Sequence, residues 1–219
     1  MKIELTIRLC FISLLSLGQT QKSIDSLVNE ICRSIEIIQD SSDSARVLQA
    51  YEKHIPAFLA NYSTDKKEDI ISRLSLRLQR NCKIYWEIMN RNTLSNNNWE
   101  AVNTKPTTRL NKRSCEDILK YKNYEYLEPE GDTVNLTIEN GYWIEHFKDK
   151  TFSKLKFYWI NDCEFEIEFV ESNNKIRKAA SKPGDKYKYQ ILDKKQNFYD
   201  MSVEIPETKI FAVFKLYIN

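Results

Sequence analysis

The sequence predicts an α+β chain in which an N-terminal three-helix region is followed by an antiparallel eight-stranded meander that is barrel-like. Three observations predict it. Apolar residues recur with a helical period between Ser23 and Arg91, and from Cys115 onward the period is two. The cysteines that follow an N-terminal apolar leader are four, an even number, which suits disulfide pairing in an exported chain.

The leader comes first. Lys2 and Arg8 precede an apolar run from Leu9 to Leu17, and Ser16 and Gly18 supply small residues before Gln19. This is the layout of a signal peptide over 1–18, with cleavage after Gly18. Its apolar core is too short to span a bilayer, and no later stretch approaches the ~20 apolar residues a membrane helix needs. The mature chain is expected to be periplasmic or secreted, with no transmembrane segment after cleavage. Cys10 leaves with the leader.

The helical region is placed at 19–91. A first helix carries Ile24, Leu27, Val28, Ile31, Ile35 and Ile38 on one stripe, with Ser23 as its cap. Asp40-Ser41-Ser42-Asp43 breaks the pattern. A second helix carries Val47, Leu48 and Tyr51, and Pro56 is expected to kink or restart it. A third, capped at Ser63-Thr64-Asp65, carries Ile70, Ile71, Leu74, Leu78, Cys82, Tyr85, Trp86 and Met89. Residues 92–114 lose all periodicity and read as a linker or a strap over the surface.

The β domain is placed at 115–219. Its clearest strand alternates Cys163, Phe165, Ile167 and Phe169 with Glu164, Glu166 and Glu168. The strand before it alternates Leu155, Phe157 and Trp159 with lysines, and the two keep their apolar faces together only across a turn of odd length. Ile160-Asn161-Asp162 is the expected loop, which sets Trp159 opposite Cys163, Phe157 opposite Phe165 and Lys156 opposite Glu166. Asn140-Gly141 and Pro183-Gly184 are turn signals, and further strands fall near Ile118–Leu127, Thr133–Glu139, Tyr142–Phe147, Asp185–Leu192, Asn197–Ile205 and Lys209–Ile218. Of the three possible cysteine connectivities, Cys32 with Cys82 and Cys115 with Cys163 keep each bond inside one structural unit. Each closes a loop of roughly 50 residues and is expected to stabilise its unit by about 3 to 4 kcal/mol.

Chemistry is sparse. The glutamates of the fifth strand alternate with buried residues, so they read as a solvated face beside lysines, not as the paired carboxylates of a glycosidase. The histidines are only His54, read as a helix-end residue, and His146, in register with Asn135 on a hairpin face. No Gly-x-Ser-x-Gly elbow, His-Glu-x-x-His helix, phosphate loop or EF-hand is present. The spacing of the cysteines does not suit zinc. The chain is therefore expected to be no enzyme, with no cofactor and no metal site. After leader removal the net charge is about +1, which gives no pull toward nucleic acid. The positive signal is aromatic. Tyr121, Tyr124, Tyr126, Trp143, Phe157, Trp159, Tyr187, Tyr189 and Tyr199 are candidates to line a barrel lumen, as core or as walls for a ligand.

The segment Phe157-Tyr158-Trp159-Ile160-Asn161-Asp162-Cys163-Glu164-Phe165, with Cys115-Glu116 upstream, resembles a group of uncharacterised exported bacterial proteins with a lipocalin-like β domain. In those a W-x-x-D-C-E-[FY] junction recurs with an earlier cysteine at the domain start. The resemblance covers Cys115 to Asn219; it implies a barrel-like fold and a Cys115–Cys163 link, and it brings no activity. The Gly-x-Trp of true lipocalins is missing. Two expectations follow: a structural or protein-interaction module of the cell envelope with an unknown protein partner, or a carrier of a small apolar ligand or lipid.

Overall fold

The computed structural model describes residues 23–39, 42–90, 98–206 and 208–219; the expected leader lies outside them. Contacts divide the chain into two units, 1–88 and 89–219.

In the first unit α1 (residues 23–37), α2 (Asp43–Leu59), α3 (Thr64–Asn81) and α4 (Lys83–Asn90) pack around a core. Ile24, Val28, Ile31 and Ile35 of α1 meet Ala50, Leu74, Leu78 and Tyr85 there. Their i, i+4, i+7 spacing puts them on one face of each helix, which is why the stripe was legible. Arg77, buried on α3, is neutralised by Asp25 at 2.9 Å. The C-terminal carbonyl of Ile35 accepts from Arg46 at 2.6 Å, so a cation satisfies the negative end of α1. Cys32 and Cys82 are bonded.

Four expectations change here. The third helix is two, because Cys82 takes an extended backbone (φ −129°, ψ 102°) between α3 and α4. Pro56 does not restart α2, which runs on to Leu59; lying in the last turn, it removes one ladder bond with little helix beyond it. His54 lies within α2 and not at its end, its Nε2 2.7 Å from the Ser34 hydroxyl of α1. Ile71, Met89 and Leu48 are exposed and outside the stripe.

The second unit is a closed antiparallel eight-stranded barrel. The strands β2 (Asn123–Leu127), β3 (Thr133–Glu139), β4 (Tyr142–His146), β5 (Phe152–Trp159), β6 (Glu164–Ser172), β7 (Lys186–Lys194), β8 (Phe198–Ile205) and β9 (Ile210–Ile218) each pair with the next, and β9 closes on β2. Burial alternates along β6 as the period-two pattern requires: Phe165, Ile167 and Phe169 point in, and their glutamate neighbours point out. Asn140 and Gly141 both take positive φ in the β3–β4 turn, the conformation a tight hairpin demands.

An extra strand, β1 (Trp99–Val102), lies in the stretch expected to be linker. It pairs with Phe211–Phe214 of β9, while β2 takes only Tyr217 and Ile218 of the same edge. From β1 the chain crosses the outside of the barrel as a strap. A register shift between Ile191 and Asp193 leaves the Leu192 carbonyl turned away from β8, and Arg109 N–H fills it at 2.8 Å. The strap runs into α5 (Lys112–Glu116) and one turn of 3-10 helix (Asp117–Lys120), so the expected strand near Ile118 begins only at Asn123. Cys115 is bonded to Cys163.

The β5–β6 register is two residues from the expected one: Trp159 faces Phe165, Phe157 faces Ile167 and Lys156 faces Glu168. Asn161 explains the offset, because its side-chain oxygen accepts from the N–H groups of Cys163 and Glu164 at 3.3 and 3.1 Å. That local turn draws Cys163 into the loop. A slip of two leaves every side chain on its expected face.

Candidate binding site in the barrel interior and its mouth

Parity sends most of the candidate rings inward. Tyr124, Trp143 and Tyr199 are fully buried, and Phe157, Trp159, Tyr187 and Tyr189 are partly buried against the same core. Phe165 is their hub, with ring centroids at 4.6 Å from Phe157, 5.4 Å from Tyr189, 5.8 Å from Trp143 and 5.9 Å from Trp159. Offset and edge-to-face contacts at these distances add about 0.5 to 1.5 kcal/mol per pair beyond area burial. Tyr121 stands apart from them. It precedes β2, is 38% exposed and touches Tyr124 only edge-on.

Each end of the barrel meets another part of the chain. At the end where β2 begins, Ile118 of the 3-10 turn is buried in the core, and its carbonyl accepts from the Tyr124 hydroxyl. Burial pushes the Tyr124 hydroxyl pKa up. Within the interior, Trp143 Nε1 is buried without an acceptor.

At the other end lies a polar cluster that the sequence reading missed. Between β6 and β7 a short helix, α6 (Lys175–Ala180), carries Arg177 to residues of β2 and β4. Its guanidinium donates to Glu145 Oε2 at 3.3 Å, to the Tyr126 hydroxyl at 3.2 Å and to Glu128 Oε1. It also lies 5.2 Å from the Phe147 ring centre. The Tyr126 hydroxyl donates to Glu145 Oε1 at 2.8 Å and stands 3.4 Å from Glu128. Burial raises the pKa of Glu128, against the pull of Arg177. Burial also raises Tyr126 and Tyr189, with Glu145 adding to both. Arg177 loses solvation, but Glu145, Tyr126 and Glu128 raise its pKa well above the usual value.

A signal for this cluster existed. Glu145 is two residues after the inward Trp143, and Glu128 is two after the inward Tyr126, so strand parity directs both inside. Nothing in the chain around Arg177 marked it as their partner.

On the outer face, the strap roofs a cleft of about 140 Å³ lined by Lys105, Glu164, Lys188, Gln190, Ser202 and Glu204. Lys105 pairs with Glu164 across it, and Gln190 Oε1 is buried there without a donor. The glutamates of β6 face this outer side, with Lys186 2.8 Å from Glu166 and 3.9 Å from Glu168. His146 is exposed opposite Asn135. Among the described residues no helix is long and apolar enough to cross a membrane. No family model matches the chain, and neither a curated protein nor a solved structure matches it.

Proposed function

We propose that the chain is an exported, non-catalytic module of the cell envelope, in which the barrel is a rigid scaffold for contact with a protein partner. The observation that carries this reading is the interior itself. Its rings pack on Phe165, and residues of the same chain stand at both ends, Ile118 at one and Arg177 at the other. The inward carboxylates fit a structural role, since Tyr126 and Arg177 engage both of them. A catalytic carboxylate needs an oxygen open to substrate. The exposed apolar side chains Tyr158 and Ile160, at the end of β5, suit contact with a partner.

A second reading, the carrier of a small apolar ligand, draws on two observations. Phe157, Trp159, Tyr187 and Tyr189 pack on the core yet are only partly buried, and Trp143 Nε1 is buried without an acceptor. Native mass spectrometry of protein purified from its host's periplasm or medium separates the two. The scaffold reading expects the bare mass of the chain. A stoichiometric small molecule that leaves on activation would replace it with the carrier reading.

A further inference from the structure

The helix α6 is held in place by little apolar contact. Of its six residues only Ala179 is buried, and Ile176 is 62% exposed. Polar contacts tie its ends, among them Asn174 Nδ2 to the Thr151 hydroxyl at 2.8 Å, Asn174 N–H to the Ser172 hydroxyl at 3.0 Å, and Ser181 to the Tyr187 hydroxyl at 2.5 Å. What holds its centre is Arg177, which reaches from the β6–β7 connection to Tyr126 and Glu145 on β2 and β4.

The charges in that grip do not balance. One guanidinium serves two carboxylates, Glu128 and Glu145, whose side chains are only 21% and 9% exposed. One surplus negative charge is thus held where water reaches it poorly, and a single added proton makes the cluster neutral. The other titratable groups around it do not remove the surplus. Glu130, beside Glu128, adds negative charge. Tyr126, Tyr187 and Tyr189 are phenols, and Lys175 and Lys178 of α6 are exposed. At the C-terminal hinge Asp185 accepts from the Lys182 N–H at 2.9 Å. His146 follows Glu145 but faces outward.

We propose that α6 is a proton-operated lid: it closes on the barrel mouth when the Glu128–Glu145–Arg177 cluster takes up one proton, and it opens when that proton leaves, uncovering the inward rings of Tyr126, Tyr187 and Tyr189. Linkage fixes the direction. With the lid closed, burial raises the pKa of Glu128, so the closed state binds the proton more tightly than the open one. Closure is therefore favoured as pH falls and lost as pH rises through the closed-state value. The closing equilibrium changes by at most about tenfold per pH unit for a single proton, in a window that begins near the ordinary glutamate value of ~4.3.

Amide hydrogen exchange on the whole 219-residue chain tests this, with protection factors for residues 175–181 corrected for the intrinsic pH dependence and followed from about pH 4 to pH 8. The expected result is a fall in their protection as pH rises across that range, by no more than about tenfold per pH unit, with the amides of β5 and β6 unchanged. In Glu128→Gln the profile becomes flat and stays protected, and in Arg177→Gln protection is low throughout. His146→Asn keeps the wild-type profile, which separates the cluster from the neighbouring imidazole. A flat wild-type profile overturns the lid, as does a Glu128→Gln chain with the wild-type slope. If Glu128→Gln does not fold, Glu145→Gln takes its place, with the same flat profile expected.

Discussion

The Arg177 guanidinium, carried on the helix between β6 and β7, donates to Glu145 on β4 at 3.3 Å. Among the described residues Arg177 also serves Glu128, and Glu145 has Arg177 as its cation. Replacing Arg177 by Met leaves two carboxylates facing each other around Tyr126. The expected loss is about 2 to 3 kcal/mol in urea unfolding, below the 3 to 5 typical of a fully buried pair because this cluster lies at a mouth. Adding Glu145→Gln to that variant should recover part of the loss. A double variant no better than Arg177→Met alone would contradict the pairing.

Trp99 is the anchor of β1. Its ring stacks on Phe214 at 4.4 Å, and its Nε1 donates to the Leu127 carbonyl at 2.5 Å. Trp99→Phe keeps the stack and loses the hydrogen bond, an expected cost of about 1 kcal/mol. Trp99→Ala loses both, at about 3 kcal/mol. Equal effects in a denaturant titration would show that the hydrogen bond alone, and not the ring stack, holds the strand.

The Cys115–Cys163 bond joins the strap helix to the β5–β6 loop. Replacing both cysteines by serine should lower stability by about 3 to 4 kcal/mol, the entropy of a loop of roughly 50 residues. The unfolding midpoint of the double variant, compared with that of the Cys32→Ser/Cys82→Ser chain, checks whether each bond acts on its own unit.

Glu164 is held below the ordinary carboxylate range: burial works against this, but Lys105 and Asn161 outweigh it. A depressed folded-state value means that the contribution is present above the unfolded value of about 4.3 and is lost as pH falls through the lower folded one. Carboxyl carbon NMR should give Lys105→Gln a Glu164 midpoint shifted up toward that ordinary value. An unmoved midpoint would mean that the strap ion pair does not form in solution.

Much of this architecture was legible because side-chain parity is a local property. The alternation of Phe165 and Ile167 with glutamates survives any register, so the faces of the sheet and the inward course of Trp143 and Tyr189 could be read directly. The register itself was not legible, because it hangs on the side chain of Asn161, and alternation cannot tell a pairing from its neighbour two residues away. β1 escaped for a different reason: four residues between polar stretches carry no period, and Trp99–Val102 is a strand only because β9 has an edge to offer. The mouth cluster was half legible. Glu145 was on the inward side of its strand, yet a glutamate among apolar positions makes sense only once Arg177 is known to come from a distant connection.

β9 has consequences for the order of assembly. It is the common neighbour of β8, β2 and β1, so the ring closes through this one strand. Until residues 210–218 are in place, the seven strands β2 to β8 form an open ribbon with two bare rims and Trp99 lacks the Phe214 ring on which it stacks. Ring closure thus hangs on one strand, and a chain in which β9 has not docked carries two rims that can zip to another copy.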